Sequence, residues 1–167
     1  EQGRGREGRK WESPPRNNLL LSAWIKPDLP PEKAHRLSMA VAAALHQAVG
    51  ELAEQRPTIK WPNDIYVGDQ KIAGILIDPI PGGEGFNVGI GLNVNSPRSD
   101  FSEELRDRVT SLFLSTRRTW SRDFVLRTLL ERLNHWMDLL NRGEDGWGEI
   151  LAYIRTNSYL IGKSVHV

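Results

Sequence analysis

Arg4, Arg6, Arg9 and Lys10 crowd into "GRGREGRKW" (residues 3–11), interleaved with Gly3, Gly5 and Gly8 and closed by Trp11. Guanidinium groups are planar forks suited to carboxylate or phosphate, and glycines let backbone N–H groups approach an anion closely. The stretch reads as an anion clamp. Like charges this dense repel one another until an anion orders them, and Trp11 is suited to cover an aromatic ligand. The same composition also describes an ordinary basic terminus or an arginine–glycine arm that binds RNA.

A second set of reactive side chains stands in "KWPND" and "KIAGIL", which place Lys60 and Lys71 on neighbouring strands around a turn carrying Asn63 and Asp64. A lysine flanked by Ile72, Ile75 and Leu76 is partly desolvated, and an anionic ligand would relieve that cost. A solvated edge lysine, and a turn whose Asn and Asp satisfy local backbone groups, account for the same residues without a ligand. A third stretch, "GIGLNVN", has glycines without the helix or third glycine of a dinucleotide-binding pattern, so a Rossmann site is rejected. Gly89 and Gly91 there leave room for something against the backbone.

These residues need elements to hold them. Residues 3–16 show neither helical nor strand periodicity and read as a loop, whereas "LLLSAWI" (19–25) predicts a buried strand ended by Pro27, Pro30 and Pro31. Apolar residues at three- and four-residue steps predict an amphipathic helix from His35 to Leu52. "PTIKWPNDIYVGDQKIAGILID" predicts a hairpin unit: a strand to Trp61, a turn, a strand to Val67, Gly68-Asp69, and a strand from Lys71 to Ile77. "FNVGIGLNVN" follows as a further strand. Helices are expected at Ser102–Leu112, Ser121–Leu140 and Trp147–Arg155. Strands joined by hairpins, then helices, argue an α+β domain with helices packed on a mainly antiparallel sheet.

Composition narrows the function classes. Twenty-two Lys and Arg against 21 Asp and Glu leave a net charge of +1, so any anion site is local rather than a global field. No cysteine is present, which excludes disulfides, thiolate metal sites and a cysteine nucleophile, and fits a cytoplasmic setting. No apolar run approaches the roughly 20 residues of a membrane span. No His and carboxylate cage for a metal stands out, so no metal ligands are assigned.

In this order, "GRGREGRKWESPPRNNLLLS", "KWPNDIY", "KIAGILID" and "GIGLNVN" resemble the catalytic domain of bacterial biotin protein ligases over residues 1 to about 95. The resemblance implies the class II aminoacyl-tRNA synthetase-like fold of biotin and lipoate ligases. It implies a two-step activity: biotin and ATP give biotinyl-5′-AMP and pyrophosphate, then the acyl group passes to a lysine of a biotin carboxyl carrier protein. It also implies magnesium with the ATP. Carried over by position, Arg4, Gly5, Arg6, Gly74 and Lys71 would bind biotin, with Gln2 a further candidate. Arg9, Trp11, Asn63 and Asn93 would bind ATP or the adenylate, and Lys71, Arg6, Lys60 and Asp64 would carry the chemistry.

The resemblance further implies a catalytic domain over 1–160 without its upstream Ser-Thr-Asn-type segment, and the first strand of an SH3-like C-terminal domain over 161–167. No DNA-binding domain is seen, no nucleic-acid or membrane partner is expected, and a homodimer stays open. A lipoate-type ligase, or an inactive nucleotide- or RNA-binding remnant of the fold, are the alternatives.

Overall fold

The computed structural model describes residues 3–5, 8, 10–14, 16–82 and 84–164, with the side chains of Arg4, Lys10 and Pro31 left aside. A five-stranded, wholly antiparallel sheet has the order β3-β7-β6-β5-β4, formed by β3 (Leu19–Ile25), β4 (Pro57–Lys60), β5 (Asp64–Val67), β6 (Gln70–Pro79) and β7 (Phe86–Leu92). The expected α+β architecture is the one found.

Two-residue alternation gives this sheet two different faces. Leu21, Ile90, Ile75 and Ile65 belong to one face and are partly or fully buried, whereas Ser22, Gly89, Gly91, Gly74, Asp64 and Tyr66 belong to the other. The apolar face is covered by α1 (His35–Leu52), with α3 (Arg122–Leu140) and α4 (Glu144–Thr156) packed beyond it.

The spacing of α1 predicted one apolar stripe, but Ala42, Ala43 and His46 are buried as well as Leu37, Val41, Leu45 and Val49. A helix sandwiched between a sheet and two other helices has almost no solvent face, and its small alanines permit that close approach. His46 meets the polar cost of this position with both ring nitrogens, Nδ1 2.8 Å from the Tyr153 hydroxyl and Nε2 3.0 Å from the Pro57 carbonyl. Burial, and secondarily the nearby Arg56 charge, lower its pKa below 6.5 despite the opposing pull of the Pro57 carbonyl.

Three expectations are corrected. Residues 3–16 are not a plain loop: β1 (Gly3–Arg4) and β2 (Lys10–Trp11) pair antiparallel as a two-stranded ribbon. β3 alternates between its faces instead of being buried throughout, leaving Leu20 and Trp24 exposed.

The helix expected over Ser102–Leu112 is replaced by turns at 103–108 and a short α2 (Leu112–Thr116). The cause is competition for its backbone. The Lys71 N–H donates to the Arg108 carbonyl and the Thr110 N–H to the Lys71 carbonyl, both at 2.9 Å, so the segment is drawn out along β6.

The register of β5 with β6 carries an irregularity. Tyr66 pairs with Lys71 while the adjacent Ile65 pairs with Ala73, so Ile72 is an extra residue in β6, a β-bulge. Simple alternation would put Lys71 on the helix-covered face with Ala73 and Ile75. The bulge turns it to the other face, beside Asp64 and Tyr66.

After α4, the Asn157 carbonyl accepts from the Ile59 N–H and the Tyr159 N–H donates to the Ile59 carbonyl, each at 2.8 Å, which lays residues 157–159 along β4. Residues 159–162 form turns.

Candidate functional site

The uncovered face of the sheet forms the floor of a cavity of about 690 Å³, a size ordinary for small-molecule sites. Its floor is made by adjacent glycines. Gly74 and Gly91 are direct cross-strand partners, and the indole of Trp11 lies against both. A Cβ built on Gly91 would stand 2.6 Å from Trp11 Cε2, and one on Gly74 would stand 3.0 Å from Trp11 Cζ3 and 3.1 Å from Lys71 Nζ. No side chain larger than hydrogen fits beneath this ring. The Trp11 indole N–H is buried and has no acceptor among the described residues.

Lys71, turned inward by the bulge, brings Nζ to 2.7 Å from Asp64 Oδ1 and 5.4 Å from the Trp11 ring centroid. The ammonium and carboxylate meet at ion-pair distance without hydrogen-bond alignment, so either can re-aim toward a ligand. Both side chains are about three-quarters sheltered, at 27% and 21% exposure, where a charge pair is stronger than at the open surface.

Asn63 anchors the turn ahead of Asp64. Its Nδ2 donates to the Ile75 carbonyl at 2.9 Å, and its own carbonyl accepts from the Ile75 N–H at 2.8 Å. Asn93, at the end of β7, donates from Nδ2 to the Thr110 carbonyl at 3.0 Å, while its buried Oδ1 has no donor among the described residues.

Of the residues singled out in the sequence, Gly5, Trp11, Asn63, Asp64, Lys71, Gly74 and Asn93 all line this one cavity. Lys60 is not among the lining residues: its Nζ lies 3.2 Å from the hydroxyl of Tyr66, which is one of them. Gln2, Arg6, Arg9 and the Arg4 side chain fall outside the described residues.

Sequence reading missed the wall formed by Phe101, Leu105, Arg108 and Val109. The signal was present as apolar residues at four-residue steps, 101, 105 and 109, but it was read as a helix. The wall is tied across the cavity to the β2 segment, because Glu12 Oε2 accepts from the Ser102 N–H at 3.2 Å. Tyr66, Asp78 and Asn87 complete the polar lining without having been anticipated. Among the described residues no three His, Cys, Asp or Glu converge as a metal site, and no helix is long and apolar enough to cross a membrane.

The family model described as biotin/lipoate A/B protein ligase matches residues 1–95, and the chain belongs to that family. The bifunctional ligase/repressor BirA of Bacillus subtilis is 39% identical over 113 residues, 66% of this chain and 35% of that protein. A biotin–(acetyl-CoA-carboxylase) ligase of Mycobacterium tuberculosis is 29% identical over 99% of this chain and 60% of its own length.

Among solved structures, the biotin protein ligase from Aquifex aeolicus in complex with biotin and ATP superposes with a TM-score of 0.83 at 30% identity, covering 93% of this chain and 64% of that one. The chain spans between about a third and three-fifths of the length of these curated relatives.

Proposed function

We propose that this chain carries the catalytic face of an ATP-dependent biotin protein ligase. The observation that carries the reading is the glycine-floored slot closed by Trp11, with Lys71 and Asp64 at one end. A relative of matching fold is described in complex with biotin and ATP, and a relative spanning nearly the whole chain is named for biotin ligation to acetyl-CoA carboxylase.

In the first step a biotin carboxylate oxygen attacks the α-phosphorus of ATP, the new P–O bond forms, and pyrophosphate leaves. Two anions must be brought together, so fixed cations lower the barrier by offsetting their repulsion. In this reading Lys71 bridges the carboxylate and the phosphoryl oxygens. Arg4, Arg6 and Arg9 supply further positive charge in this reading, with Gln2 and Gly5 at the biotin end. Asn93 and Trp11 serve the nucleotide, and Asn63 fixes the turn that aims Asp64.

In the second step the amine of a carrier-protein lysine attacks the acyl carbon, AMP departs with the bonding electrons, and the amine loses a proton as the amide forms. In this reading Asp64 orients that amine once the ligand draws Lys71 away. The acceptor in this reading is a biotin carboxyl carrier protein. Magnesium would accompany ATP and be held mainly by phosphate oxygens, with Asp64, the carboxylate beside Lys71, as the protein group that could add a ligand. Residues 1–160 are read as this domain, with 161–167 beginning another.

The test is pyrophosphate release from ATP by the 167-residue chain, with biotin or lipoate added separately, beside a longer chain that carries the relatives' upstream segment. Release with biotin and not with lipoate in either chain is the expected result. Release with lipoate alone would move the assignment to the lipoate branch of the family, and silence with both substrates in both chains would overturn catalysis.

A further inference from the structure

Lys60 and Asp64 are direct cross-strand partners at the β4–β5 hairpin, an arrangement that normally favours an ion pair between them. The structure does not pair them. Asp64 meets Lys71, while the Lys60 ammonium lies 3.2 Å from the Tyr66 hydroxyl, 4.7 Å from the Tyr66 ring centroid and 5.5 Å from that of Tyr159. The two tyrosine rings touch, with centroids 5.0 Å apart and planes tilted by 43°.

Tyr159 is itself held from three sides. Its N–H donates to Ile59 beside Lys60, its hydroxyl donates to Asp69 Oδ1 at 2.9 Å, and the Lys163 ammonium sits 3.4 Å from its ring centroid. Tyr66 in turn lines the cavity and is the cross-strand partner of Lys71. Tyr66 thus stands between the two lysines and separates their roles.

We infer that Tyr66 and Tyr159 are positioning residues for Lys60: the clamp keeps its ammonium off Asp64 and ready as a second fixed cation for the polyphosphate of the nucleotide. The segment that follows α4 is therefore a working part of the site through Tyr159. This rests on the ligase reading above. It differs from a merely structural role because it predicts an effect on nucleotide use and a change at Lys60 itself.

Two readouts test it on the active form of the protein. In Tyr159→Leu, the KM for ATP in biotin-dependent pyrophosphate release should rise about two- to fivefold, the size of one part-exposed cation–π contact, with kcat and biotin affinity nearly unchanged. Tyr159→Phe keeps the ring and should restore the KM. Asp69→Asn, at a side chain 82% exposed and safe for folding, should raise it by a smaller factor.

Independently of activity, the ε-CH₂ protons of Lys60 should show an upfield ring-current shift by NMR that diminishes in Tyr159→Leu and persists in Tyr159→Phe. Unmoved Lys60 signals, or an ATP KM the same in Leu and Phe variants, would overturn the clamp. If the unsubstituted protein releases no pyrophosphate with biotin yet the Lys60 signals still move, the clamp stands and the ligase reading falls.

Discussion

Lys71 carries the largest expectation at the scale of single residues. Lys71→Ala removes the cation paired with Asp64 in the cavity and strands Asp64 as a sheltered carboxylate without its ion-pair partner. Adenylation should fall by about 10²- to 10³-fold, the usual loss for a well-placed charge donor, as read by pyrophosphate release. Gly91→Ala tests the floor instead. Its new methyl would collide with the indole at 2.6 Å, and a misfit costing ~1–3 kcal/mol should weaken biotin binding by about ten- to hundredfold in calorimetry. Gly148→Ala, where a Cβ meets nothing within 4 Å, is the matched control and should bind normally. Lys71, Asp64 and Asn63 stood out in the sequence as polar groups gathered on one hairpin, but their place in a site, and Gly74 altogether, came from the resemblance of the motifs. The Trp11 contact with Gly74 and Gly91 was not, since nothing in the chain says that a ribbon at residue 11 folds over glycines some 60 and 80 positions later.

Two elements make separate predictions. Gly146, in the first turn of α4, abuts the end of α3 so closely that a Cβ there would lie 1.8 Å from the Leu139 carbonyl oxygen. That neighbour is backbone and cannot yield, so Gly146→Ala should destabilise by at least ~1–3 kcal/mol in urea unfolding. The α1 helix predicts a pH dependence. His46 is held neutral by burial, so the unfolded chain takes up a proton there first as the pH falls below 6.5. Its contribution is fully present above 6.5 and drains away as pH falls toward the lowered native value. Melting temperature should therefore drop between about pH 7.5 and pH 5, and His46→Gln should flatten that slope. The α1 span, His35–Leu52, was read correctly because its periodicity is strong. The stretch over Ser102–Leu112 misled for the same reason: its apolar residues recur at helical steps, but the Arg108 carbonyl and the Thr110 N–H are claimed by Lys71 of β6.

The whole molecule joins three separate parts around one cavity: the β1–β2 ribbon, the open sheet face, and the wall at 101–109. A ligand touching all three binds only the folded arrangement, so biotin and ATP, each at about 100 times its dissociation constant, should each add ~2.7 kcal/mol to the unfolding free energy. Differential scanning calorimetry with biotin and ATP together, against each alone, reads this directly; no gain from the pair would count against a shared cavity. The general architecture was legible at this scale from strands joined by hairpins followed by helices. The layering was not, because the same alanine-rich helix suits one neighbour or two, and only the placement of α3 and α4 beyond α1 decides.

The surplus residue at Ile72 sets a rule of register for β6. Because one position of slippage decides whether Lys71 points at the slot or under α1, the two pairings on either side of Ile72 must hold together. Drawing Ile72 into regular alternation would leave every nominated side chain in the sequence and still turn the ammonium under α1, whereas deleting Ile72 would set Lys71 one step from Ala73 and keep it on the slot face. In this hairpin, register carries as much functional information as chemistry does.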